Sequence, residues 1–161
     1  MLVRKHYHNI YNYCFRKTGN QEIAEDLTQE IFMKLIRSIH HFRFTGKFTN
    51  YLFTIAVNTC NDYYRTSKDV YKDVDINYQV DHLKKPIEQI IQKEMEIQIK
   101  KAINSLPTIQ KDALILFYYH DIKVKDIAKI MNANISTTKS RLKQGRDKLE
   151  KILGEDDFFE K

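Results

Sequence analysis

Apolar residues recur every three or four positions through long stretches of this 161-residue chain, and this spacing constrains the fold more than any other feature. Such spacing places apolar side chains on one face of an α-helix. The chain also contains only four glycines and two prolines, too few for the many tight turns that a β-protein needs. The sequence therefore predicts an all-α fold.

The helical pattern occurs in three long segments and three shorter ones. The first long segment begins after Gly19 and Asn20, a turn followed by a helix N-cap. We expect the remaining helices at 48–65, 87–106, 108–119, 124–131 and 135–153. The apolar positions predicted to be buried on the third long helix are Ile87, Ile90, Ile91, Met95, Ile99, Ala102, Ile103 and Leu106.

Helical periodicity fades between Thr66 and Lys85, where four lysines balance four aspartates. This loss of pattern is typical of a linker. The sequence therefore predicts two small helical domains joined by a flexible linker. The predicted boundaries are 1–66 for the first domain, 67–86 for the linker, 87–154 for the second domain and 155–161 for an acidic tail.

Composition excludes several classes of protein. With 42% hydrophobic residues the chain has enough apolar surface to fold, yet no apolar run approaches the roughly 18 residues of a transmembrane helix. The first residues become charged before a signal-peptide core forms, so we expect a cytoplasmic protein without membrane insertion. Cys14 and Cys60 are too few for a disulfide framework and are predicted to be free thiols.

The C-terminal segments have the dimensions of a helix-turn-helix, in which a short helix, a three-residue turn and a longer helix follow one another. Nine cations and three acids lie between Lys123 and Lys151, a local charge of +6 that equals the net charge of the whole chain. Such a surface attracts phosphate, while Arg, Gln, Ser and Thr side chains read base edges. The candidate DNA-binding residues are Ser136, Thr137, Lys139, Ser140, Arg141, Lys143, Gln144 and Arg146. The alternative is a solvated helical hairpin with ordinary lysines.

A loop rich in aromatic residues and cations, residues 42–47, precedes the polar face of the second long helix. Rings that stack on bases, beside cations that hold phosphates, are typical of single-stranded DNA binding. Asn58 and Asn61 supply hydrogen-bonding groups for the edge of an extruded base. The residues alone nevertheless favour the simpler interpretation, in which Phe42, Phe44 and Phe48 pack under a neighbouring helix.

Catalytic and metal sites are not predicted. The histidine pairs lack Cys or carboxylate companions at ligand spacing, and an apparent calcium loop has Tyr78 where glycine is required. Glycine-rich phosphate loops and nucleophile motifs are missing from the sequence. We therefore expect no enzyme activity, no cofactor and no catalytic residue.

Taken in order, three parts of the chain resemble an extracytoplasmic-function (ECF) sigma factor, a small bacterial RNA polymerase subunit. Residues 24–32 read AEDLTQEIF, which is similar to the start of the family's region 2. Further region 2 matches are Phe42, Phe48, Leu52, Ile55, Ala56, Asn58, Asp62 and Arg65, with Tyr51 where the family usually has Trp. The region 4 matches are Leu106, Pro107, Lys111 and residues 126–128 and 137–142, whereas Gln144 and Gly145 depart from the family's usual Arg and Ala.

The resemblance implies a function in promoter recognition. It implies polymerase docking by Asp26, Gln29, Glu30 and Lys34. It implies recognition of the −35 element by the 136–146 helix and capture of −10 bases near Asn58. The −10 residues are Phe42, Arg43, Phe44, Thr45, Gly46, Lys47, Tyr51, Asn58, Asn61 and Arg65. Core RNA polymerase, promoter DNA and an anti-sigma factor are the implied partners. The alternative is a dimeric helix-turn-helix regulator that binds duplex DNA without polymerase.

Overall fold

The structure is a computed structural model that describes residues 2–43, 46–67 and 87–154. These ranges contain α-helices and short helical turns, and no strand lies within them, so the predicted all-α fold is confirmed. The helices are α1 (Leu2–Thr18), α2 (Gln21–Ser38), α3 (Phe48–Ser67), α4 (Ile87–Asn104), α5 (Thr108–Leu114), α6 (Val124–Ile130) and α7 (Ile135–Leu153). The predicted acidic tail and residues 68–86 of the predicted linker lie outside the described residues.

Helix α1 was not expected from the sequence. Its inner face carries Ile10, Tyr13, Cys14 and Lys17, all buried, at the three- and four-residue spacing of a helix. A tyrosine, a cysteine and a lysine make this stripe only weakly hydrophobic, so its helical pattern is faint in the sequence. The signal was nevertheless present in the spacing.

Helices α1, α2 and α3 pack together as the first half of the fold. Asn20 caps α2 as predicted, because its Oδ1 accepts a hydrogen bond of 3.0 Å from the Ile23 amide. Cys14 and Cys60 are free and buried, with their Sγ atoms 3.8 Å apart between α1 and α3. Other buried residues of this half are Ala24, Leu27, Ile31, Phe32, Leu35, Leu52, Phe53, Ala56 and Val57.

Helix α4 occupies the predicted segment, but the prediction for its buried face is confirmed only at the C-terminal end and was wrong for Ile87, Ile91 and Met95. Only Ala102 of this helix is buried, and Leu106 is buried just beyond its end. Ile87 and Ile91 are 76% and 51% exposed. The apolar stripe therefore extends beyond the part of α4 that packs against α7.

The remaining helices build the second half around Ile127, Ile130, Leu142 and Leu149. Helix α5 begins directly after Pro107, at the start of the predicted segment 108–119, but it ends at Leu114 in a π-helical turn, Ile115–Tyr119, and Ile109 is exposed. In α7 the residues Thr138, Leu142, Gly145 and Leu149 are buried on one face, whereas Ile135 and Ile152 are exposed.

Gly145 has a packing reason for lacking a side chain. A Cβ at this position would lie 2.8 Å from Cδ1 of Leu114, which is itself buried. Glycine costs roughly 1 kcal/mol of helix propensity relative to alanine. The close approach of α7 to α5 at this point therefore explains the departure from alanine.

Lys111 lies between the two halves and has an unusual pKa. Its Nζ donates to the backbone oxygen of Lys17 and to Oδ1 of Asn104, both at 2.8 Å. Burial, together with the nearby Lys17 charge, lowers the pKa of Lys111 from 10.5 to about 8. The unfolded chain therefore binds more protons at this residue between these two values, so the free energy of unfolding rises with pH.

Because folded Lys111 loses its proton more easily than unfolded Lys111, we expect the free energy of unfolding to rise by about 1 kcal/mol between pH 7 and pH 8.5. Urea denaturation at several pH values, comparing the parent chain with Lys111→Met, measures this contribution. The methionine variant has no group to titrate, so the difference in slope belongs to Lys111 whatever the variant's own stability. Parallel slopes would show that the Lys111 pKa is normal in the folded protein.

Candidate nucleic-acid interface

The outward surface of α7 is a polar and cationic strip on a firmly capped helix. Asn134 Oδ1 accepts a hydrogen bond of 2.7 Å from the Thr137 amide, which fixes the first turn. Burial of Thr138 and Leu142 holds the opposite face against the rest of the domain. Exposed members of the predicted −35 set are Ser136, Lys139, Ser140, Lys143 and Gln144, while Thr137, Arg141 and Arg146 are half-buried.

Two residues at the end of this strip also contact the protein itself. The Arg146 guanidinium donates to the Tyr118 hydroxyl at 3.4 Å, and the Gln110 amide donates to Gln144 Oε1 at 3.2 Å. These contacts orient Gln144 and Arg146 along α7. The first three turns of the helix therefore carry the side chains that are most available to a ligand.

The loop before α3 uses its aromatic residues for packing. The Phe42 ring lies 5.7 Å from that of Phe48 and 5.2 Å from that of Tyr51. The Tyr51 hydroxyl donates to the carbonyl and hydroxyl oxygens of Ser38, at 2.9 and 2.7 Å. The packing interpretation therefore holds for Phe42 and Phe48. Phe44 and Thr45 lie outside the described residues, and Arg43 and Gly46 are exposed.

The polar face of α3 divides into free and engaged positions. Asn58 is exposed, whereas Asn61 Oδ1 accepts a hydrogen bond of 2.9 Å from Lys17 Nζ. Arg65 is exposed and forms an ion pair with Asp62. Asn58 is therefore the asparagine of this face whose amide points to solvent.

The two halves are joined by a buried ion pair that the sequence did not reveal. Lys17 of α1 is 2% exposed, Asp112 of α5 is 0% exposed, and their charged groups are in contact. The Tyr13 hydroxyl donates to the same carboxylate at 3.3 Å, and burial beside Asp112 raises the pKa of Tyr13 well above its usual value. These residues are far apart in sequence, so only the fold brings them together.

A second link between the halves involves a predicted −10 residue. Lys47 Nζ lies 2.8 Å from Asp126 Oδ2, and the Asn50 amide donates to Asp126 Oδ1 at 2.9 Å. Asp126 belongs to α6, the first helix of the helix-turn-helix. The hydrogen bonds from Lys47 and Asn50 lower the pKa of Asp126.

The predicted polymerase surface lies on the outer face of α2. Asp26, Gln29 and Glu30 are exposed on it. Lys34 is half-buried, pairs with Glu30 at 3.1 Å and donates to Thr59 Oγ1 at 3.2 Å. Met33 and Ile36, 50% and 60% exposed, add an apolar element that the sequence analysis did not include.

Sequence comparison assigns both halves. Residues 2–69 match the family model for sigma-70 region 2, and residues 96–149 match that for sigma-70 region 4. The chain belongs to the sigma-70 family. The first match covers α1 to α3, and the second covers the end of α4 through most of α7.

Individual relatives place this sigma factor in the ECF group. It is 30% identical to the ECF RNA polymerase sigma factor SigW of Bacillus subtilis, over 89% of this chain and 82% of that protein. It is 28% identical to the RNA polymerase sigma-H factor of Pseudomonas aeruginosa, over 95% of this chain and 84% of that protein.

Solved structures share the fold of this sigma factor. One is sigma factor RpoE in complex with the anti-sigma factor NepR from Bartonella quintana, with a TM-score of 0.71, 23% identity and coverage of 96% and 95% of the two chains. Another is CnrH in complex with the cytosolic domain of CnrY, with a TM-score of 0.72, 16% identity and coverage of 97% and 87%.

Two further properties concern the described part of the chain alone. None of its helices is long and apolar enough to cross a membrane. Nor does it contain a group of three or more His, Cys, Asp or Glu side chains placed to hold a metal ion.

Proposed function

We propose that this ECF sigma factor binds core RNA polymerase and directs initiation at promoters that carry −35 and −10 elements. The observation that carries this function is the order of its parts: matches to region 2 and region 4 lie on two helical halves, and the second half presents the cationic face of α7. The protein performs no chemistry itself and requires no cofactor. Its place of action is the cytoplasm, with the polymerase and the chromosome.

The proposed domain boundaries lie within one residue of the helix ends. We assign residues 1–66 to polymerase docking and −10 recognition, 67–86 to the linker, and 87–154 to −35 recognition, followed by the tail at 155–161. The family-model matches at 2–69 and 96–149 support this division. Two modest DNA sites joined by a linker gain affinity through their high effective concentration.

The −35 element is read by α7 in the major groove. The exposed Lys139, Ser140 and Lys143, with the half-buried Arg141, supply phosphate contacts and base-edge donors. Arg141 lies on the second turn of α7, where a recognition helix approaches the bases. Ser136, Thr137, Gln144 and Arg146 complete the site.

The −10 strand lies along residues 42–47 and the polar face of α3. Arg43 and Lys47 contact phosphates, while Asn58 contacts the edge of an unstacked base. The exposure of Arg43 and Asn58 supports this assignment. Tyr51, Asn61 and Arg65 flank the strand, together with Phe42, Phe44, Thr45 and Gly46.

The outer face of α2 docks on the polymerase through Asp26, Gln29, Glu30 and Lys34. Carboxylates and amides beside the exposed Met33 form a mixed polar and apolar surface of the kind that protein interfaces use. An anti-sigma factor is the further partner. The complex of sigma factor RpoE with the anti-sigma factor NepR, in which the sigma factor has a fold similar to this one, supports that proposal.

Run-off transcription tests the function directly. Purified core polymerase, with and without this protein, transcribes a library of promoter-sized fragments, and protein-dependent transcripts that share two spaced motifs are the expected result. A palindromic site bound without polymerase would instead identify the dimeric regulator.

Replacing Arg141 by alanine tests the −35 assignment in a measurement of holoenzyme binding to duplex −35 DNA. Loss of a base-edge contact costs roughly 1–3 kcal/mol, so we expect a loss of about 5- to 100-fold in holoenzyme affinity for duplex −35 DNA. Lys151→Ala, at the exposed far end of α7, removes the same charge and is the matched control. Equal affinities for the two variants would exclude Arg141 from the site.

A further inference from the structure

The contact between Lys47, Asn50 and Asp126 has the form of an occupied anion site. A lysine ammonium and a side-chain amide approach the two oxygens of one carboxylate, at 2.8 and 2.9 Å. Asp126 is 4% exposed, whereas the Lys47 side chain is 59% exposed. The Asp126 carboxylate is thus enclosed between the two halves, while its cationic donor Lys47 lies largely exposed at the start of α3.

The same two donors suit a nucleic-acid phosphate. Lysine and asparagine side chains are common phosphate ligands, and two oxygens of a phosphodiester present the geometry and single negative charge of a carboxylate. Lys47 also ends the loop that the proposed function assigns to the −10 strand. Asn50 lies on the first turn of α3, one residue before Tyr51.

We infer that Lys47 and Asn50 bind one backbone phosphate of the −10 strand, and that Asp126 occupies this site in the free protein as an internal substitute for the phosphate. This inference rests on the proposed function, because it takes the −10 strand as the ligand. It adds Asn50 to the site and gives the helix-turn-helix a second role. Helix α6 blocks the −10 surface until the two halves separate.

Promoter geometry requires such a separation. The numbers of the −35 and −10 positions differ by 25 base pairs, which is about 85 Å along B-form DNA. A compact fold of 161 residues is only about 40 Å across. Residues 68–86, at 3.3–3.6 Å each, reach roughly 65 Å when fully extended, enough for the two halves to move apart. The arrangement with Asp126 on Lys47 is therefore a state that promoter binding must open.

Charge makes the exchange feasible. Asp126 is held ionised by its two donors, which lower its pKa. When DNA arrives, one anion replaces another on Lys47, so the site never carries an unpaired cation. The Asp126 carboxylate becomes hydrated as α6 moves away. Its hydration, and the phosphate that replaces it on Lys47, partly offset the free energy needed to separate the two halves.

Binding of a sequence-neutral probe tests the site. Full-length protein is titrated with a fluorescein-labelled single-stranded dT 12-mer, and anisotropy is recorded over a range of salt concentrations. Asp126→Asn weakens the internal competitor, and we expect it to bind the probe roughly tenfold more tightly than the parent chain. Asp147→Asn makes the same charge change on the exposed face of α7 and is the matched control.

The salt dependence identifies the phosphate contact. Each phosphate contact to a single strand contributes about 0.7 to the slope of log K against log salt. Adding Lys47→Gln to Asp126→Asn is therefore expected to reduce the slope by about 0.7 and to remove most of the gain in affinity. Adding Asn50→Ala reduces the affinity with little change in slope, because an amide releases no counterion.

The distance between the halves provides a readout that is independent of DNA. Spin labels on Gln29→Cys and Lys143→Cys, both exposed, report the separation of α2 and α7, while Cys14 and Cys60 are buried. Asp126→Asn should broaden this distance distribution towards longer values. The inference is overturned if Asp126→Asn binds the probe no more tightly than Asp147→Asn, or if Lys47→Gln leaves the salt slope unchanged.

The two proposals fail separately. If the protein directs specific transcripts but Asp126→Asn binds the probe no more tightly than the parent chain, the sigma function is retained and the occupied phosphate site is rejected. Absence of transcripts from an active core polymerase, together with the expected gain in probe binding, would retain the phosphate site and reject the −10 strand as its ligand.

Discussion

Replacing Asp112 by alanine is expected to weaken the packing of the two halves by about 3–5 kcal/mol. Lys17 and Asp112 are both buried, so loss of the carboxylate leaves an ammonium ion in the interior with only Asn61 and weaker partners around it. An uncompensated buried charge is among the most damaging consequences of a single substitution. The charge regains water only when α1 and α5 separate.

Two measurements together follow the separation of the two halves and the unfolding of the chain. The spin-label pair on α2 and α7 should report longer distances for Asp112→Ala, and urea denaturation followed by circular dichroism should show a lower midpoint. Asp147→Ala, on the exposed face of α7, is the control and should leave both unchanged. A loss below about 1 kcal/mol would contradict the buried ion pair.

A double variant separates the charge effect from the packing effect. One Asp112 oxygen, Oδ2, is buried without a hydrogen-bond partner in the described part of the chain, so the pair is not fully satisfied. Replacing a buried pair by apolar residues of similar size is often neutral. We therefore expect Lys17→Met with Asp112→Leu to recover most of the stability that Asp112→Ala loses.

The helices were predictable because their signals are local. Asn20 caps α2 as expected, and Asn134 caps α7 in the same way, since a cap depends only on the three residues that follow it. The fold class followed from the same periodicity. Helix α1 was predictable in principle, but the tyrosine and lysine on its buried face hid the stripe.

The partners of each face were not predictable. Ile87 and Ile91 have helical spacing, yet both are exposed, because a periodic stripe shows only that a face is apolar and not what covers it. The pair of Lys17 with Asp112 joins residues 95 positions apart. Nothing local in the sequence marks either residue as buried.

The candidate DNA sites fall between these cases. The cationic face of α7 was predictable, because helix periodicity assigns its residues to the side opposite the buried one. Which of the −10 residues are free was not predictable, because Lys47 and Asn61 bind side chains from other helices. Of the two asparagines in that set, exposure in the structure therefore singles out Asn58.

Replacing Asn58 by alanine is expected to reduce promoter opening by about 5- to 100-fold while leaving polymerase binding intact. The exposed amide is the group on α3 that is free to pair with an extruded base, and such a pair forms only after the duplex has opened. Permanganate reactivity of unpaired thymines measures the open complex. Asn9→Ala, at an asparagine that is also exposed but lies on α1, is the matched control.

A template with a pre-opened −10 bubble shows whether Asn58 acts in strand separation. Because the −10 bases are already unpaired in that template, the defect of Asn58→Ala should be substantially smaller than the defect on duplex DNA. A defect of equal size on both templates would mean that Asn58 holds the strand without helping to open it. An open-complex yield equal to that of Asn9→Ala would remove Asn58 from the −10 site altogether.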